Sequence, residues 1–178
     1  MAYRTKTYIA ADWDTDQNAV KQLYNWKENN HLTLDFHDAH EITQARDTSN
    51  NCNIKRSLKE RLDASKNFVL IVGDKTKTLR NGSCYYCQSY NSWTKNCAKG
   101  YPISYESYVE YECRMAIEEK LNILVLYNAD SVDKSLCPEL IKNYVSAHHV
   151  AMKTYNYYYG CYVYDYQVVK TAFDQYLS

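Results

Sequence analysis

The sequence predicts an α/β fold: a doubly wound, mainly parallel five-stranded sheet with helices on both faces. Three observations carry that expectation. Short apolar runs alternate along the chain with stretches of helical periodicity. The clearest run, Phe68-Val69-Leu70-Ile71-Val72-Gly73, is apolar on both faces, as a central parallel strand is when helices cover both sides. A second run of the same kind, Ile123 to Tyr127, follows a long helical pattern.

The elements follow in order. Tyr8 to Ala11 reads as the first buried strand, and Asp12-Trp13-Asp14 as the loop after it. From about Asp16 to Asn29, residues Ala19, Val20, Leu23, Tyr24 and Trp26 recur like the buried stripe of a helix. Leu32 to Phe36 alternates and predicts a second strand, running into His37-Asp38-Ala39-His40-Glu41. The polar stretch Thr43 to Asn51 ends in helix-capping residue types. Ile54, Leu58 and Leu62 then mark a helix from about Asn53 to Lys66.

After the strand ending at Gly73, residues from about 75 to 103 are polar and rich in cysteine and tyrosine. A structureless loop of that length is unusual, so this is read as an insertion with order of its own within one domain spanning 1–178. Helices are predicted from Ser104 to Leu121, from Pro138 to Ser146 and from Asp165 to Leu177, with a last weak strand at Val150 to Met152.

Bulk properties narrow the function. With 178 residues the chain buries roughly 70% of its unfolded surface and needs no disulfide to own a core. Its 21 basic and 21 acidic residues cancel, which argues against a nucleic-acid partner. Lys55, Arg56, Lys59 and Arg61 form the nearest thing to a basic patch; with Glu60 and Asp63 among them, they read as a solvated helix face. No apolar stretch is long enough for a signal peptide or a membrane span, so a cytoplasmic location without membrane partners is expected.

Seven cysteines in such a chain should stay reduced. Cys84 and Cys87, with Cys97 beyond, have part of a zinc pattern, but no clean second pair follows; free cysteines in a tyrosine-rich loop are the simpler reading, and no metal is expected. Twenty tyrosines against three phenylalanines put polar tips on many aromatic bodies. Those crowding residues 155–166 suit a packed surface or a subunit contact better than base stacking, and a homo-oligomer is left open.

There is no GxGxxG and no P-loop; the chain has four glycines. In open α/β sheets ligands sit beyond the carboxyl ends of the strands, at the switch point of strand order. That rule points to Asp12, Trp13, His37, Asp38 and the segment after Gly73. Glu112 is a further candidate. At about 100° per residue it falls roughly 60° from Val109 and 40° from Ala116, on the border of the core-facing stripe. A carboxylate there is partly desolvated and needs a partner or a task. Periodicity does not choose it, because Glu106 and Glu110 lie at the other edge of the stripe, and on pattern alone a salt-bridged or solvated glutamate is the simpler reading.

A resemblance does choose it. Tyr108-Val109-Glu110-Tyr111-Glu112 followed by Ala116 resembles the W-V-x-x-E-x-x-x-A signature of NAD-cleaving TIR domains, and is most similar to the TIR-like proteins of the Thoeris anti-phage system. Tyr8 to Asp12, Phe36 to Glu41, and Ile54 to Leu62 leading into Phe68 to Gly73 fit the same group, so the likeness covers about residues 5–130. The signature tryptophan is Tyr108 here, and the 75–102 segment is longer than the family pattern.

The resemblance implies a TIR-like, flavodoxin-like fold with Glu112 as catalytic glutamate. It implies that NAD is substrate, not cofactor, and is cleaved to nicotinamide and an ADP-ribose-derived signal, often cyclised, that activates a separate effector protein. A fixed carboxylate under the ribose would stabilise an oxocarbenium-like state, as in glycosidases. Tyr108 would form part of the pocket wall. Asp12 and Trp13 would contact a ribose and stack on a ring, although Asp12 serves equally as a helix cap. His37 and Asp38 would lie near the family's mobile loop, with a structural histidine as the alternative. Arg46 would meet phosphate or stand exposed. TIR-like folds also serve as interaction modules, so a non-catalytic adaptor is the alternative function, and a flavodoxin-like module for another nucleotide a third.

Overall fold

A computed structural model describes residues 4–39 and 50–177. In chain order the elements are β1 (Lys6–Ala10), α1 (Gln17–Glu28), α2 (Asn51–Asp63), β2 (Ser65–Val72), β3 (Tyr90–Asn91), β4 (Asn96–Cys97), α3 (Tyr108–Glu118), β5 (Asn122–Tyr127), α4 (Glu139–Lys142), β6 (Ala147–Ala151), β7 (Lys153–Asn156), β8 (Cys161–Tyr164) and α5 (Tyr166–Tyr176). Strands β1, β2, β5 and β6 lie side by side in that order, and every pair is parallel.

Side chains alternate across a strand, so the apolar runs of β1, β2 and β5 supply two cores at once. Tyr8, Phe68, Leu70, Ile123 and Val125 face α2 and α3, where Leu58, Leu62, Val109 and Ala116 pack on them. Ile9, Val69, Ile71, Leu124 and Leu126 face the other way, onto Val20 and Leu23 of α1 and Val169 and Phe173 of α5. The sheet is thus covered on both faces, as the sequence predicts.

The five-stranded expectation is corrected: the described residues form a four-stranded parallel sheet. Leu34, Phe36 and Asp38 are buried while Thr33, Asp35 and His37 are exposed, so the alternation of the second predicted strand is real. Its backbone, however, meets β1 at one point, a parallel bridge between Thr7 and Asp38 in which the Thr7 amide donates to the His37 carbonyl at 2.6 Å. The Leu34 amide instead donates back to the Trp26 and Leu32 carbonyls. Apolar anchors hold this segment against the core while its hydrogen bonds go to the end of α1, so no ladder forms.

Other boundaries move for local reasons. α2 ends at Asp63 and β2 starts at Ser65, so Lys66 belongs to the strand and not to the helix. α3 starts at Tyr108, not at Ser104, because Ser107 caps it. The helix expected from Pro138 to Ser146 is one short turn, Glu139–Lys142. β6 covers Ala147–Ala151, earlier than expected, and the tyrosine-rich stretch after it forms an unforeseen antiparallel hairpin, β7–β8. The 75–103 segment is ordered: two 3-10 turns, the small β3–β4 ladder, and rings of Tyr85, Tyr90 and Tyr105 packed together. No described helix is long and apolar enough to cross a membrane.

Candidate functional site

The capping box decides where α3 begins and what its glutamates do. Ser107 Oγ accepts from the Glu110 amide, and the Glu110 carboxylate accepts from the Ser107 amide, which removes two of the helix's orphan donors. Glu106 instead holds Arg114 through two contacts of 2.7 and 3.1 Å, and that guanidinium keeps its carboxyl below the usual range. With both neighbours spent on structure, Glu112 is the glutamate of this group turned into the protein: only 7% of it is exposed.

Glu112 lies on the wall of a cavity of about 470 Å³, a size suited to a small-molecule ligand. β1 and the turn after it contribute Tyr8, Ala11, Asp12, Trp13 and Asp14; α2 contributes Ile54, Leu58 and Arg61. Leu79 and Asn81 close one side, and Tyr108 and Val109 accompany Glu112 from α3. The cavity sits past the carboxyl end of β1. There the chain first adds the bridged segment beyond one side of β1 and then returns to place β2 on the other, which is the switch point of the sheet.

Three polar groups meet at its floor. The Tyr8 hydroxyl, from a residue with no exposed surface, donates to Glu112 Oε1 at 2.5 Å. Burial pushes the Glu112 carboxyl up to about 7, against the pull of the Tyr8 hydrogen bond and of the Arg61 charge. Burial, and then the nearby Glu112 charge, push the Tyr8 phenol well above its ordinary value, so it stays a donor. Arg61 is itself buried. A carboxyl that titrates near neutrality beside an open cavity is what acid–base or electrostatic chemistry needs.

The predicted site residues divide. Glu112, Tyr108, Asp12 and Trp13 come together in the cavity. Trp13 keeps 48% of its surface exposed at the cavity wall. The Asp12 carboxylate accepts from the Asp14 amide and the Thr15 hydroxyl, so it braces the turn leading to α1 while lining the cavity; the helix cap itself is Asp16. His37 and Asp38 do not reach the cavity. Asp38 is level with Thr7, at the start of β1, whereas the cavity opens past Ala10 at its end. The Tyr24 hydroxyl holds the Asp38 carboxylate at 2.5 Å, and the His37 side chain faces solvent. Arg46 lies outside the described residues.

Sequence reasoning missed Arg61, Tyr8, Leu79 and Asn81. The basic stretch of α2 is not a uniformly solvated face: Lys55 and Arg61 are buried, and Lys55 Nζ bonds Ser104 Oγ and the Glu106 carbonyl. Positions 54, 58 and 61 follow the i, i+4, i+7 spacing of one face, which places Arg61 beside the apolar stripe. Tyr8 sits in an apolar run that does not show where its hydroxyl points. Leu79 and Asn81 come from the start of the insertion, which therefore builds one cavity wall. Gly82 beside them adopts φ +98°, and a Cβ there would lie 2.6 Å from the Tyr108 ring. Tyr108 is in turn fixed by its hydroxyl to Asn51 Oδ1 and by its amide to the Asn81 carbonyl.

Among the described residues no group of histidine, cysteine and acidic side chains is arranged to hold a metal ion. All seven cysteines are unpaired, and Cys84 Sγ accepts from the Ser104 amide.

Residues 8–81 match the family described as Thoeris protein ThsB, TIR-like domain. The matched span holds Tyr8, Asp12, Trp13, Arg61 and Asn81 and ends before α3, so Tyr108 and Glu112 stand on the geometry just described and on the likeness of their motif. No curated protein matches the chain.

Proposed function

We propose that this chain, whose residues 8–81 match the Thoeris ThsB TIR-like family, is a ThsB-type TIR-like protein of anti-phage defence and that it cleaves NAD in the cavity above Glu112. The observation that supports this reading best is a buried glutamate on the wall of a ligand-sized cavity at the switch point of the sheet, with a tyrosine hydroxyl on one of its oxygens. NAD is the substrate, and no cofactor takes part.

The bond between the ribose C1′ and the nicotinamide nitrogen breaks, and its electron pair leaves with neutral nicotinamide. The sugar becomes oxocarbenium-like, and the Glu112 carboxylate stabilises that charge where water is largely excluded. Water, or a hydroxyl or ring nitrogen of the same molecule, then attacks C1′ and releases one proton, giving ADP-ribose or a cyclic isomer. That product is the signal that reaches the effector. Trp13 and Tyr108 would flank the bound rings, and Arg61 favours an anionic ligand. Seven unpaired cysteines suit a reducing, cytoplasmic setting.

One observation favours the alternative, an adaptor without chemistry: Tyr157, Tyr158 and Tyr159 stand exposed at the tip of the β7–β8 hairpin, as contact residues do. Incubation with NAD and identification of products by mass spectrometry separates the readings. Nicotinamide with ADP-ribose or a cyclic isomer is expected from the wild type. Glu112→Gln should lower the rate by about 10²–10³-fold, the usual cost of removing one transition-state electrostatic partner. No turnover by wild-type protein under phage-triggered conditions would favour the adaptor.

A further inference from the structure

Glu112 is buried and must nonetheless carry a negative charge during NAD cleavage. Of the groups packed around it, few help. Asp12 and Asp14, from the turn after β1, line the same cavity and bring only further acid. Cys113, the next residue on α3, is a thiol that burial holds protonated. Tyr108, one turn earlier, is likewise pushed up by burial and stays neutral. From α2 comes the Arg61 charge, and from β1 the Tyr8 hydroxyl, which makes the one hydrogen bond found at Glu112 among the described residues.

We propose that Tyr8 is the positioning residue of Glu112: its hydroxyl fixes Oε1, supports the ionised carboxyl, and leaves Oε2 for the ribose. This rests on the reading of Glu112 given above. The geometry is suited to the task. Tyr8 sits on the central strand layer with no exposed surface, and its ring stacks on Phe68 with centroids 5.9 Å apart and planes 15° from parallel. A ring so enclosed keeps its hydroxyl oxygen in one place beside Oε1, which favours a carboxyl held before substrate arrives. Arg61, from α2, adds charge and donates a hydrogen bond to the Tyr8 hydroxyl oxygen, so it supports the same arrangement.

Tyr8→Phe isolates the role, because it keeps the ring, its stacking and its volume. A hydrogen bond to a charged group is worth about one pH unit or more of carboxyl titration. The acidic limb of the pH–kcat profile should therefore move upward by about one unit, with a roughly fivefold loss of kcat at pH 7 and little change in KM. Thermal melting checks that the variant is folded. A second readout does not depend on turnover: the infrared carboxyl band assigned to Glu112 by its disappearance in Glu112→Gln should titrate at higher pH in Tyr8→Phe. If Glu112→Gln is inactive while Tyr8→Phe leaves both the limb and the band in place, Tyr8 has no positioning role and the NAD reading stands. If Glu112→Gln is fully active, the NAD site assignment fails, and the band alone decides whether Tyr8 holds the carboxyl.

Discussion

The two faces of the central sheet are made by alternate residues of the same strands, yet they do different work. Under α1 and α5, Ile9, Val69, Ile71, Leu124 and Leu126 pack into one apolar cluster with side chains of both helices. Under α2 and α3 the same strands bring Tyr8 against Glu112 and Arg61, and the packing opens into a cavity. Buried ionisable groups cost stability unless paired or put to use, so a face that keeps them gives up cohesion for chemistry. The difference teaches where to look in such a fold: at the face whose core is incomplete.

The contrast can be broken or sharpened by substitution on either side. The largest stability effect belongs to the closed face. Leu124→Ala removes a fully buried side chain from β5 and should cost about 2–5 kcal/mol, measured by urea unfolding, with turnover per folded molecule unchanged.

Next comes the open face, where removing charge should stabilise. Glu112 binds its proton more tightly folded, at about 7, than an ordinary glutamate does. Its contribution to stability is therefore fully present below about pH 4.5 and is lost as the pH rises through 7. Glu112→Gln should match the wild type in acid and exceed it by about 3 kcal/mol near pH 8, a gap that paired melting curves across that range would show. An equal or lower stability at pH 8 would mean that Glu112 is better compensated than its burial indicates. The smallest effect should come from the cap. Ser107→Ala loses the capping box of α3 and should cost about 1 kcal/mol, with a modest rise in KM as Tyr108 loosens.

The closed face was also the legible one. Continuous apolar runs at Phe68 to Val72 and Ile123 to Tyr127 announce central strands, because burial on both sides leaves no room for polar residues. The stripes of α1 and α5 were equally plain. The segment from Leu32 to Phe36 shows the limit: its alternation reports which side chains are buried, and says nothing of where the amides go. At the site, periodicity placed Glu112 on the border of the core and left it level with Glu106 and Glu110. The cap and the Arg114 pair that occupy those two are backbone and side-chain geometry, which a pattern of apolar positions does not encode. Arg61 was hidden because a buried arginine on a charged helix looks like its solvated neighbours. Asp38 was misplaced because the register of a bridge decides how far a side chain reaches.

The central claim is that Glu112, and not its neighbours on α3, carries NAD cleavage. Nicotinamide release should be measured for wild type, Glu112→Gln and Glu110→Gln side by side. The expected result is a loss of about 10²–10³-fold in Glu112→Gln and near wild-type turnover in Glu110→Gln, whose defect is confined to a lower melting temperature. Equal losses in both variants, or full activity in Glu112→Gln, would contradict the account.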